Sequence, residues 1–119
     1  MNGDSERLAN RFKSEVGFEK LTRGNIHLLA GYMEKELEQH TRFELWVNNI
    51  IFAEKKGKIQ EVHIRLMSDY FGAERGGLGF EAKNNMVGFG GWMDEESRKP
   101  VKIAFEKWMD YIIGNKEVA

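Results

Sequence analysis

RFELWVNNIIFAEKKGKIQEVHIRLM, residues 42–67, is the stretch that decides the fold. In its second half Val62, Ile64 and Leu66 alternate with polar residues. This pattern is typical of a strand that buries one face. The turn between the two halves is predicted at Gly57, because glycine is free to adopt a positive φ. The stretch therefore predicts a β-hairpin.

The first half of this hairpin is less regular. Phe43, Leu45 and Val47 share one face, but the alternation is lost after Val47. A β-bulge or burial on both faces would explain the loss. The exposed face is expected to combine polar residues of the second half with apolar candidates from the first: Glu61, His63 and Arg65 with Trp46, Ile50 and Phe52. An apolar face of this kind is expected to be covered by a partner or an identical subunit.

Apolar residues at helical spacing predict three helices around the hairpin. The first helix is expected to end at Gly17, and the second to be capped by Asn25. The last is expected to be capped by Ser97 and to end at Gly114. Two further short strands, GLGFEAK and MVGFG, are joined through an Asn-Asn pair that suits a turn.

This order of elements predicts an α+β domain that spans residues 1–119. Consecutive strands with short turns pair antiparallel. We therefore expect an antiparallel sheet of three to four strands, with two N-terminal helices and one C-terminal helix on one face.

Composition and charge exclude several classes of function. The 119 residues contain no cysteine, which rules out disulfides and thiolate chemistry. A formal net charge of −1 provides no electrostatic attraction for general nucleic-acid binding. No apolar run reaches membrane-spanning length, and the polar N-terminus does not resemble a signal peptide. A cytoplasmic location is expected.

No catalytic or metal-binding motif stands out. The three histidines, His27, His40 and His63, have no partner histidine three or four residues away on one helix, so no metal site and no cofactor are expected. An unrecognised enzyme would depend on His63, Glu81 and Asp69, but no spacing in the sequence pairs them. The enzyme hypothesis therefore ranks last.

The glycine-rich segment VGFGGWMDEESRKP, residues 87–100, is the leading candidate site. Its glycines allow close approach of a ligand to the backbone, and its aromatic rings offer flat faces for stacking. Cations near the start of the last helix suit an anion. The candidate ligand-binding residues are Phe89, Gly90, Gly91, Trp92, Arg98 and Lys99, with Arg75 from a second glycine-rich loop and Arg65 from the hairpin. The alternative is a structural junction whose aromatic residues fill the core.

The block GFGGWMDEESRKPVKIAFEKWMDYI, residues 88–112, resembles the C-terminal ends of small proteins encoded by phages of Gram-positive bacteria. The resemblance covers about the last third of the chain. It implies a small accessory protein that counters a host defence, either by occupying a host protein or by sequestering a nucleotide signal. It assigns no role to any individual residue.

Two binding functions follow as hypotheses. The first is a non-catalytic protein that binds or sequesters a nucleotide-type anionic ligand. The second is a protein-binding inhibitor or interaction module that acts through an apolar sheet face. A homo-oligomer is expected in either case.

Overall fold

The computed structural model describes residues 3–40, 45–68, 77–84, 86–91 and 95–118. These residues form three α-helices and a four-stranded antiparallel sheet, so the predicted α+β class is confirmed. The elements in chain order are α1 (Gly3–Arg11), a π-helical turn (Phe12–Val16), a 3-10 turn (Phe18–Lys20), α2 (Arg23–His40), β1 (Leu45–Lys55), β2 (Lys58–Ser68), β3 (Gly77–Lys83), β4 (Met86–Phe89) and α3 (Glu95–Val118).

The sheet is a simple meander with the strand order β1-β2-β3-β4. The β1–β2 turn forms as predicted, with φ of 54° at Lys56 and 80° at Gly57. The irregularity in β1 is a bulge, because Val47 pairs with Leu66 whereas Asn49 pairs with Arg65. The extra residue shifts the alternation of β1 by one position.

This bulge corrects the expectation for Ile50 and Phe52. Both were candidates for the exposed face beside Trp46. In the structure they pair with Ile64 and Val62, which are buried, and they pack against the core. Trp46 remains on the opposite face.

Three helix-end predictions are also wrong. Thr22, and not Asn25, caps α2, because the backbone N–H of Asn25 donates to Thr22 Oγ1 at 3.0 Å. Ser97 lies buried inside α3, which already includes Glu95. Gly114 lies within α3, which continues to Val118. Local propensity is too weak to fix the ends of a helix that tertiary packing stabilises.

The core lies between the helices and one face of the sheet. Phe105 of α3 lies at its centre and packs against four other aromatic rings. The distances between ring centroids are 5.9 Å to Phe12, 5.1 Å to Phe80, 5.7 Å to Phe89 and 5.7 Å to Trp108. These contacts join α3 to the π-helical turn and to strands β3 and β4. Burial of these apolar surfaces is the main force that holds the helices on this face.

An exposed ion pair ties α2 to the hairpin. Arg23 donates from Nη2 to Glu54 Oε1 at 2.6 Å and from Nε to Glu54 Oε2 at 3.0 Å. The guanidinium also lies 5.5 Å from the centre of the Phe52 ring. The hydrogen bond from Arg23 lowers the pKa of Glu54 from its ordinary value of 4.5.

This pair predicts a pH-dependent contribution to stability. A carboxyl whose pKa is lowered by folding stabilises the fold above its unfolded-state pKa and loses that contribution as pH falls through the folded-state value. Glu54→Gln is therefore expected to lower the urea midpoint at pH 7 and to have little effect at pH 3. Urea denaturation at both pH values checks this, with the exposed Glu38→Gln as control. An equal loss at both pH values would contradict it.

Candidate functional site

All three helices pack on one side of the sheet, and among the described residues no element covers the other side, which we call the outer face. Its side chains come from alternate positions of each strand and lie in cross-strand rows. The central row is Ile51, His63, Glu81 and Gly88, and the next row is Ala53, Glu61, Lys83 and Met86. Arg65, which is exposed, follows on β2 beside Asn49.

Apolar side chains on the outer face remain accessible to solvent. Trp46 is 37% exposed, Ile51 is 40% exposed and Met86 is 69% exposed. They lie on the two edge strands, so they flank the polar residues of β2 and β3. The outer face therefore has exposed apolar side chains at its margins and charged side chains at its centre.

His63 lies between two carboxylates at the centre of the outer face. Its Nε2 is in hydrogen-bonding contact with Glu61 Oε2, and its Nδ1 is 3.4 Å from Glu81 Oε1. Among the described residues Nδ1 has no hydrogen-bond partner, and it is shielded from water. A neutral imidazole has one N–H and satisfies one of the carboxylates, whereas an imidazolium has two.

The electrostatics of this cluster act most clearly on Glu61. The hydrogen bond with His63 lowers the pKa of Glu61, and the positive charge of Lys83 adds to the effect. Lys83 Nζ lies 4.0 Å from Glu61 Oε1. Glu61 is therefore engaged by two neighbours, whereas Glu81 faces only His63 among the described residues.

Two shallow depressions adjoin Glu81 at the β3–β4 end of the outer face. The first, of about 140 Å³, is lined by Glu81, Gly88, Phe89, Gly90 and Gly91. The second, of about 290 Å³, shares two of these residues and is lined by Glu81, Lys83, Asn84, Met86, Val87 and Gly88. The first is smaller than the pockets of roughly 300–1,000 Å³ that hold drug-sized ligands.

The structure separates the predicted ligand-binding residues. Gly90 and Gly91 line the first depression, as does Phe89, whose ring packs on Phe80 and Phe105 at 5.7 Å from each. The core contacts of Phe89 agree with the alternative prediction of a structural junction. Arg65 lies on the outer face.

Among the described residues, Arg98 and Lys99 do not line the depression. Arg98 is half-buried and Lys99 is exposed, and both belong to α3. The Nε atom of Arg98 is buried and lacks a hydrogen-bond partner among the described residues. Trp92 and Arg75 lie outside the described residues, so their predicted roles stay predictions.

Sequence reasoning missed the cluster around His63. It named His63 and Glu81 as candidates but found nothing to pair them, and it did not assign a role to Glu61. The alternation of Glu61 and His63 on one strand was a usable signal, because alternate residues share a face. The third member depends on the register between β2 and β3, which the sequence does not encode locally.

Comparison with known proteins does not assign an activity to this site. No protein-family model, curated protein or solved structure matches this chain. The described residues contain no group of three His, Asp or Glu side chains placed to hold a metal ion. Within the same residues, no helix has the length and apolar character needed to cross a membrane.

Proposed function

We propose that this protein is a non-catalytic interaction module and that the outer face of its sheet binds a partner protein. The observation that carries the proposal is that no described element covers the outer face: all three helices pack on the opposite side, while Trp46, Ile51 and Met86 remain exposed. Exposed apolar side chains grouped on one face are typical of interaction sites.

The state of His63 supports a binding role over a catalytic one. A general base needs a ring nitrogen within reach of the proton that it removes. Here Nε2 contacts Glu61, and Nδ1 faces Glu81 and is shielded from water. Neither nitrogen is open to a substrate in this arrangement.

The charge at the centre of the outer face favours a different protein over a second copy of this chain. A two-fold axis that passes through the central row near Glu81 would bring Glu81 of one copy close to Glu81 of the other. Juxtaposed like charges across an interface oppose association. A partner that offers basic side chains fits this centre better, so the expected homo-oligomer would have to use another surface.

Ile51 lies in the central row and is partly exposed, so a charge placed there should disturb the binding of a partner. Ile51→Lys is expected to reduce partner capture from a Gram-positive bacterial lysate by about 30-fold, the loss typical of an interface hot spot. The measurement is affinity capture followed by quantitative mass spectrometry. The expected result is one protein retained by the wild type and lost with the variant.

The matched control is Leu28→Lys, because Leu28 has a similar exposure of 37% but lies on α2, away from the outer face. Capture is expected to be unchanged with this control. Sedimentation equilibrium of the wild type and of Ile51→Lys measures the oligomeric state and tests the opposing outcome. A stable wild-type dimer that Ile51→Lys splits would mean that the outer face binds a second copy, and the proposal would then be wrong.

A nucleotide-type anion is the second candidate ligand. One observation favours it: Arg98 has a buried Nε without a hydrogen-bond partner among the described residues. The backbone at Gly90, where an added Cβ would meet no described atom within 4 Å, precedes α3, to which Arg98 and Lys99 belong. Against it, the depression is small and contains a carboxylate. A rise in melting temperature with millimolar AMP that Arg98→Ala removes would favour this candidate.

The biological setting of the proposal comes from the resemblance to phage-encoded proteins. It supports a location in the host cytoplasm and a role in countering a host defence. Occupying a host protein through the outer face requires no catalysis, so this setting agrees with an interaction module.

A further inference from the structure

We infer that the first depression is a binding site for a basic side chain, an arginine or lysine of the partner protein, with Glu81 as its anionic contact. This inference rests on the proposed function and specifies the chemistry of the partner. It reverses the sign of charge that the glycine-rich sequence suggested.

The charge of the depression carries the inference. Among the described residues that line it, Glu81 is the one titratable side chain, and the others are three glycines and Phe89. The Glu81 side chain is 43% exposed, so its carboxylate can contact a ligand. Hydrogen bonds between a guanidinium and a carboxylate are about twice as strong as neutral ones.

The glycines make the carboxylate accessible. A Cβ placed at Gly88 would lie 3.7 Å from Glu81 Cγ, so a longer side chain there would cover Glu81. A Cβ at Gly90 would meet no atom of the described residues within 4 Å, so none of them blocks this side of the depression. The aliphatic part of a lysine or arginine can pack along such a surface while its charged end reaches the carboxylate.

Lys83 does not fill the role of this cation. It lines the second depression, and its Nζ lies near Glu61. The residue that already lies next to the Glu81 carboxylate is His63, whose Nδ1 is 3.4 Å from Glu81 Oε1. Among the described residues, the charged groups near His63 are Glu61 on its own strand, Glu81 on β3, and Lys83, which lies beside Glu61. The neighbour of His63 on β1 is the apolar Ile51.

The test is a two-dimensional ¹H–¹⁵N NMR titration of the full chain with Nα-acetyl-arginine amide at pH 8. The amide signals of Gly88, Gly90 and Gly91 are expected to shift and to saturate at millimolar concentration. Nα-acetyl-citrulline amide has nearly the same shape without the charge and is expected to cause no saturable shift. Equal shifts with both probes, or no shift with either, would overturn the inference.

Three variants define the contact. Glu81→Gln is expected to weaken binding of the arginine probe roughly tenfold or more, because a charged hydrogen bond is lost. Gly88→Leu keeps the carboxylate but covers it, and is expected to weaken binding as well. Glu34→Gln, which removes an exposed carboxylate from α2, is the matched control and is expected to bind as the wild type does. Binding that survives both Glu81→Gln and Gly88→Leu would overturn the inference.

Failure of this inference is distinguishable from failure of the proposed function. If Ile51→Lys abolishes partner capture but the arginine probe does not bind, the outer face binds a partner without this contact. If the probe binds while Ile51→Lys has no effect on capture, the depression is a cation site and the interaction surface lies elsewhere. Shifts of Gly90 and Gly91 with AMP and not with the arginine probe would overturn the inference in favour of the anionic ligand.

Discussion

Replacing Phe105 by alanine is expected to lower the free energy of unfolding by about 3–5 kcal/mol, the range measured for large aromatic residues in protein cores. Phe105 is fully buried and contacts the rings of Phe12, Phe80, Phe89 and Trp108. Removal of the Phe105 ring leaves a cavity between α3 and the sheet, and the four surrounding rings cannot move far enough to fill it. Urea denaturation monitored by tryptophan fluorescence and circular dichroism measures the change.

Tyr111→Ala is the matched control for this prediction. Tyr111 lies six residues further along α3 and is 43% exposed, with one ring contact to Tyr32 at 6.4 Å. Its loss is expected to cost less than about 1 kcal/mol. Since the stability of a small domain is typically about 5–15 kcal/mol, the Phe105 variant is expected to lose a substantial part of it. Similar losses for the two variants would show that α3 does not pack as described.

Gly79→Ala is expected to destabilise the protein by about 1–3 kcal/mol or more through overpacking. Gly79 occupies the irregularity between β2 and β3, where Ile64 pairs with Phe80 and Arg65 pairs with Leu78. An added Cβ would lie 2.5 Å from Leu66 Cγ and 3.2 Å from the backbone oxygen of Ile64. Optimal carbon–carbon separations are about 3.5–4.0 Å, so a buried strand residue would have to move.

Gly31→Ala is the control for Gly79, and its expected effect has the opposite sign. Gly31 is exposed inside α2, and a Cβ there would meet nothing within 4 Å. Alanine in a helix interior is favoured over glycine by about 0.5–1 kcal/mol. Urea midpoints of the two variants should therefore move in opposite directions. A stable Gly79→Ala protein would contradict the β2–β3 register.

The hairpin shows why the strands were predictable and why their faces were not. The alternation of Val62, Ile64 and Leu66 identifies β2 from the sequence, because a strand with one buried face must repeat every two residues. In β1 the alternation is lost around Asn49 and Ile50, so the sequence does not indicate which of their side chains face the core. The bulge next to Val47 forms only when β1 pairs with β2, so the inward direction of Ile50 depends on a partner strand.

The candidate site follows the same division. From the sequence alone, the glycines at 88, 90 and 91 pointed to the end of the sheet where the first depression lies. The sequence also placed cations after them and so suggested an anion. Among the described residues, the charged side chain that lines the first depression is Glu81, which comes from the neighbouring strand.

By itself the sequence determined the α+β class, the three helices, the hairpin turn at Gly57 and the absence of thiol chemistry, because each depends on local periodicity, turn geometry or composition. Tertiary structure alone decided the contacts between elements. The cross-strand register brings Glu81 to His63, and the packing of the helices on one face leaves Ile51 exposed on the other. These contacts join residues distant in the chain, and only the complete fold specifies their distances.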